Sequence, residues 1–220
     1  MLETSRTDLV LMGLTVGVLI LSSSVHEFAH ALVAHRCGDP TAYNQGRLTL
    51  DPLVHIDPFW SILVPIVTFF SLGFPFGGAK PVPVNPFQLR HPARDMTFVA
   101  IAGPISNLMI ALLCMLIWKS MVYVGGMSDD DLAVQALALS VLLNILLAVF
   151  NMIPIPPLDG SRVLAYFLRG KTLETYEQLE RFGILIIVGL LYFGALDQVL
   201  WPALDGTWDL LFLVTGGNWS

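Results

Sequence analysis

The stretch SSSVHEFAHALVAH (residues 22–35) follows LVLMGLTVGVLIL (9–21), a run without a single charge, and sets a glutamate between two histidines while the apolar pattern continues. An uncharged run of this length reads as the body of a membrane-spanning helix over 8–36. A charged side chain at the centre of such a helix costs roughly 2.5–3.5 kcal/mol on insertion scales, so a His-Glu-His group there needs a partner. His26 and His30 are four positions apart and project from one helical face, one turn apart. H-E-x-x-H on a helix is the pattern in which both imidazoles bind zinc and the glutamate acts as general base. Glu27 is rotated off the ligand line, so it can act on a water at the metal without replacing a ligand.

Composition agrees with a membrane protein. The 220 residues are 55% hydrophobic and only 13% charged, with a mean hydropathy of +0.71, whereas soluble domains carry about 25% charged residues. Net charge is −6 and no basic cluster points to nucleic acid. Cys37 and Cys114 give no disulfide framework and read as buried free thiols. The leader MLETSRTD carries Glu3 and Asp8 against Arg6, which makes a poor signal-peptide n-region, so the first helix is expected to be retained.

Further apolar segments run over 59–77, 97–124, 132–153, 182–201 and, briefly, 208–215. These predict an all-α polytopic membrane protein of four to six transmembrane or re-entrant helices, forming one domain over 1–220 with a catalytic core at 8–168 and a C-terminal membrane helix at 182–201. GKTLETYEQLER (170–181) reads as a charged helical connector. The alternation in NQGRLTLDP (44–52) predicts a small surface β-hairpin. If 59–77 does not cross, Arg36, Arg47, Lys80, Arg90, Arg94, Arg162, Arg169, Lys171 and Arg181 share one face against Arg6 and Lys119, nine to two. The positive-inside rule favours that arrangement and puts the charged loops in the cytoplasm.

A catalytic zinc usually has three protein ligands and an open position. Most acidic residues fall in evident loops or termini. Asp159, in NMIPIPPLDGS (151–161), directly follows an apolar run. Taken alone it suits an N-cap for a helix starting near Ser161. Depth favours the ligand: with 59–77 re-entrant, His26, His30 and Asp159 meet near one membrane face, and with one more crossing they would lie up to about 30 Å apart.

With HEFAH on a membrane helix, AGPISN (102–107) matching G-P-x-x-N, and N-x-x-P-x-x-P-L-D-G beginning at Asn151, the chain resembles the site-2 protease family of intramembrane zinc metalloproteases over about residues 8–168. The resemblance implies one Zn2+ held by His26, His30 and Asp159, with Glu27 as catalytic acid/base. It implies a substrate path lined by Asn151, Pro154 and Pro157, and a motif role for Gly103, Pro104 and Asn107. The substrate class it implies is a transmembrane helix, cleaved in regulated intramembrane proteolysis within the lipid bilayer of a prokaryotic cell membrane, near the cytoplasmic side. Many members carry an inserted PDZ or appended CBS domain. The short GGMSDDD link (125–131) leaves substrate selection to an accessory membrane protein, if anything supplies it.

Asn151 is the candidate oxyanion donor, with a helix-end hydrogen bond as its alternative. Asn107 and Asn144 read as interhelical hydrogen-bonding residues, and Gly103 as a close-packing one. His55 and His91 suit polar loops better than a metal, and His35 lies beyond the ligand face. An extended 154–157 segment or the edge of RLTL (47–50) could pair with an unwound substrate strand. Two rivals belong to other classes: a metal transporter, which should place ionisable ligands along a path through several helices, and an inactive zinc-binding scaffold.

Overall fold

The computed structural model describes residues 6–72 and 77–217, and among them every regular element is helical. The HEFAH stretch sits in the C-terminal half of α1 (Arg6–Arg36). Gly38 ends this helix in a left-handed conformation, φ 110°. Asp39 N–H then donates to Ala34 and Gly38 N–H to His35, the 6→1 and 5→2 bonds of a Schellman cap. Short helices α2 (Thr41–Asn44) and α3 (Pro52–His55) follow.

A wide π-type segment, Pro58–Leu63, runs into α4 (Val64–Leu72). At the far end of the loop, Gly78 N–H donates to the Trp60 carbonyl at 3.0 Å and Ser61 Oγ donates to the Gly78 carbonyl at 2.7 Å. The start of the apolar segment, at Trp60 and Ser61, therefore lies beside Gly78, just past its end.

From there an extended strap (79–85) leads to α5 (Pro92–Lys119), which opens on a proline at a position where the missing N–H costs nothing. α5 runs antiparallel to α1, since His26 meets Asn107 while His30 meets Val99. α6 (Leu132–Asn151) returns alongside, and Ala111, Met115, Val141 and Ile145 of this pair bury their side chains against Leu204. The prolines at 154, 156 and 157 stop α6, and the chain re-enters helix at α7 (Asp159–Phe167). α8 (Gly170–Gln178), α9 (Gly183–Tyr192) and α10 (Asp197–Val214) complete the fold.

Three helical stretches, Val10–Arg36, Pro92–Val124 and Leu132–Asn151, are long and apolar enough to cross a bilayer, and a fourth is added if the bent pair Gly170–Tyr192 and Asp197–Val214 counts as one span. Their outward faces expose large apolar side chains such as Leu21, Leu113, Leu185 and Leu213, which suits a lipid surround and not water. The chain is an integral membrane protein by this measure.

Two expectations change. The β-hairpin at 44–52 does not form, and no strand occurs among the described residues. Its extended neighbour is the strap, whose Pro81 and Pro83 lack the N–H donors a ladder needs. Arg47 instead spends its guanidinium on the Lys80 carbonyl at 2.7 Å, and Asp51 caps α3 through Leu53 N–H. The apolar stretch 182–201 is also not one rod. Gly194, φ 66°, makes a second Schellman cap with Ala195 N–H on Leu190 and Gly194 N–H on Leu191. The axis turns by 83° between the α8–α9 arm and α10.

Candidate metal centre

α1 and α5 bring the two imidazoles into a buried T-shaped pair, ring centroids 4.5 Å apart. Each ring has one nitrogen committed away from its neighbour. His30 Nδ1 lies 2.7 Å from the Val99 carbonyl, which can only accept. His26 Nδ1 lies 2.6 Å from Asn107 Oδ1. With Nδ1 donating in both rings, the Nε2 atoms are left as lone pairs on the inner side.

What those lone pairs face is a carboxylate. Asp159 Oδ2 is 3.0 Å from His26 Nε2 and Oδ1 is 3.4 Å from His30 Nε2. Asp159 is the first residue of α7 and caps nothing, so its carboxylate serves the imidazoles and not the helix. Burial works to raise the Asp159 carboxyl, but the two imidazoles outweigh it and bring it down to about 2. A carboxylate facing two imidazoles in this way needs positive charge among them, which a bound cation or a proton on the rings supplies. Ligands about 2 Å from one tetrahedral ion stand about 3.3 Å from each other, and the observed separations of 3.0 and 3.4 Å bracket that value. Two imidazoles and a carboxylate are the donor set of a catalytic zinc site, and the residues fit one.

Glu27 completes the cluster: one of its carboxylate oxygens and a nitrogen from each histidine lie within 4.8 Å of one another. Glu27 Oε2 accepts a hydrogen bond from Val82 N–H at 2.7 Å. The strap is fastened around this bond. Lys80 N–H donates to the His55 carbonyl, Arg47 holds the Lys80 carbonyl, and Asn85 N–H donates to the fully buried Asp39 at 2.7 Å.

Gly103 of α5 lies against the metal-facing edges of both rings. A methyl group there would come within 2.5 Å of His26 Cε1 and 2.6 Å of His30 Cε1. The sequence motif thus marks a clearance for the imidazoles as well as helix packing. Pro104, the next residue, helps line an apolar cleft of about 590 Å³ with Leu108, Met152, Pro154, Val199 and Ala203, between α5, the end of α6 and α10. Gly160 allows the 152–158 loop to close onto the first turn of α7, since a side chain there would meet the Ile153 carbonyl at 2.7 Å.

Other candidates lie elsewhere. Asn151 Nδ2 donates to the Leu147 carbonyl one turn back, at 2.9 Å, which is the helix-end alternative. Tyr176 Oη donates to the Pro154 carbonyl, and Pro157 follows a cis peptide bond. His55 is buried, but its ring bonds the Thr49 carbonyl. His35 packs on Tyr43, and His91 opens α5. The group of three possible ligands within 4.8 Å of one another is His26, Glu27 and His30, and Asp159 joins it through its contacts with the two imidazoles. Val82 N–H and the Val99 carbonyl were invisible in the sequence because they are backbone groups.

A model of Peptidase family M50 matches residues 119–192. The "Putative zinc metalloprotease YwhC" of Bacillus subtilis is 36% identical over 207 residues, covering 91% of this chain and 90% of the relative. A protein under the same heading, Rip2 of Mycolicibacterium smegmatis, is 32% identical over 189 residues, covering 84% and 69%. Rip3 of Mycobacterium tuberculosis is 24% identical and matches 43% of its own length. No solved structure matches.

Proposed function

Because the chain belongs to Peptidase family M50, the site-2 protease family, and is on that ground a metalloprotease, we propose that it is a zinc-dependent endopeptidase working inside the membrane. Its substrates are transmembrane helices, cut within or next to the bilayer. One observation carries the reading: two imidazole lone pairs and a carboxylate from separate helices converge, with Glu27 beside them.

In this reading His26, His30 and Asp159 hold the ion and Glu27 moves the proton. Bound zinc would supply a Lewis acid that activates water and polarises the scissile carbonyl. The Val82 N–H bond fixes Glu27 Oε2, which leaves Oε1 to take a proton from the attacking water and pass it to the leaving amine. A helical peptide bond is masked by its own hydrogen bonds, so substrate must unwind before attack. The apolar cleft beside Pro104 suits an apolar segment entering from lipid, and it reaches to within one residue of the glycine under the imidazoles. With the arginine-rich loops on the inner side, the centre lies near the cytoplasmic face of a prokaryotic cell membrane, and regulated proteolysis is the setting. An accessory membrane protein would supply selection if the short link at 125–131 leaves it unsupplied.

The test is purified protein in detergent, wild type beside Glu27→Gln, assayed for zinc content and for cleavage of a transmembrane-helix peptide. Zinc near one per chain in both, with cleavage in the wild type alone, is expected. Equal cleavage by both would remove Glu27 from its role, and a wild type without zinc would remove the metal.

A further inference from the structure

Asn107 and Asn144 are both fully buried in the helix bundle, and Ser22 is nearly so. Buried amides in helices packed within lipid normally serve to hold neighbouring helices together. Here they form an ordered chain. It begins at the Ser140 carbonyl, a backbone oxygen that can only accept, 2.8 Å from Asn144 Nδ2. The same Nδ2 donates to Ser22 Oγ at 2.9 Å. That commitment turns Asn144 Oδ1 toward α5, where it accepts from Asn107 Nδ2 at 3.0 Å. Asn107 Oδ1 is then turned toward His26 Nδ1, at 2.6 Å.

Each link has one allowed direction once the first is fixed. Were Asn107 turned over, its carbonyl oxygen would face the Asn144 carbonyl oxygen, and its NH₂ would face the nitrogen of His26. Two acceptors would then be buried against each other, with no solvent to relieve them. We infer that Asn144 is a positioning residue for His26: through Asn107 it holds a proton on Nδ1 and so leaves Nε2 as the nitrogen turned to the metal centre. This rests on the proposed zinc reading only for its purpose, since the relay keeps a proton on Nδ1 with or without an ion. His30 provides an internal contrast, because its Nδ1 proton is taken directly by the Val99 carbonyl and owes nothing to Asn144.

Nitrogen-15 NMR of histidine-labelled, metal-free protein in detergent reads the tautomer of each ring. Wild type should show His26 in a single form protonated at Nδ1, whatever Nε2 carries beside Asp159. Asn144→Leu should turn His26 into a mixture and leave His30 unchanged. Zinc affinity should fall by about tenfold to a hundredfold, the range for lost partners of metal-bound histidines. Adding Asn107→Asp, whose carboxylate can only accept from His26, should restore the single form in the Asn144→Leu background. An Asn144→Leu protein with wild-type His26 signals and zinc affinity within twofold overturns the inference. If that variant does not assemble, Asn144→Asp decides instead. Its carboxylate still accepts from Asn107, so the single form should persist, and a mixture there overturns the inference equally. A wild type that binds no zinc defeats the functional reading alone, because the metal-free comparison still stands.

Discussion

Gly103→Ala puts one methyl group where the two imidazoles meet. The new carbon would stand 2.5 Å from His26 Cε1 and 2.6 Å from His30 Cε1, about 1 Å inside ordinary carbon contact. Neither ring can retreat freely, because each is pinned on its far side by an Nδ1 bond, at 2.6 Å to Asn107 and 2.7 Å to Val99. One ring must give up its bond or α5 must move outward. Overpacking of this kind costs about 1–3 kcal/mol. In the metal-free protein a ring can swing aside and relieve the strain, but zinc requires both rings back within about 0.2 Å of ligand geometry. The cost then appears as lost affinity, roughly 5- to 150-fold. Competition of purified protein against a graded zinc chelator measures it. Gly17→Ala, on α1 with nothing within 4 Å of the added methyl, is the control and should bind as wild type does. If Gly103→Ala also binds zinc within twofold of wild type, the imidazoles are not packed against α5 in the working enzyme.

Two further substitutions test separate parts of the structure. Val82→Pro deletes the N–H that holds Glu27 while keeping an extended backbone that Pro83 already imposes. A lost charge-assisted bond of about 1.5–3 kcal/mol should lower kcat by roughly tenfold to a hundredfold with KM and zinc content unchanged, and Val82→Ala, which retains the N–H, should stay near wild type; equal kcat in both variants would show that Glu27 needs no such anchor. Lys119 is fully buried with its ammonium on the carbonyls of Phe212 and Gly217, at 2.6 and 2.7 Å, at the C-terminal end of α10. Lys119→Met should cost about 1–3 kcal/mol by leaving carbonyls short of a donor, read as a lower Tm in detergent without change in zinc content; an unchanged Tm would mean that those carbonyls find other donors.

The parts of the centre that rest on side-chain type and helical period were legible. Four-residue spacing put His26 and His30 on one face, and an uncharged flank made their presence expensive enough to demand a metal. Asp159 was reached by an argument from depth, and the structure brings its carboxylate to 3.0 and 3.4 Å from the two imidazoles. The β-hairpin failed because alternation describes one strand's side chains and says nothing about donors on its neighbour, which here is proline-rich. The elbow at Gly194 failed because a hydropathy average over 182–201 hides a single glycine that can take a positive φ. Asn107 and Asn144 could be seen as interhelical residues, but not the order in which they pass hydrogen bonds.

The distribution of these hydrogen bonds bears on how the centre holds together. α1 and α5 are joined beside the site by hydrogen bonds with matched donors and acceptors, His26 to Asn107 and His30 to Val99, which need no ion. Asp159 is different: its carboxylate meets the imidazoles only through positive charge between them, and a proton on a ring is a weaker tie for α7 than a metal ion bound by all three. Two ligands are therefore preset by the helix bundle, and the third arrives on the loop that Gly160 lets close. Removing zinc should loosen α7 and the 152–158 loop before it disturbs the α1–α5 contact. Hydrogen exchange with and without a chelator would detect this as faster exchange at 160–167 and unchanged exchange at 99–107. Equal loosening of both segments would mean that the metal organises the whole bundle, and that the imidazole pair is not preset.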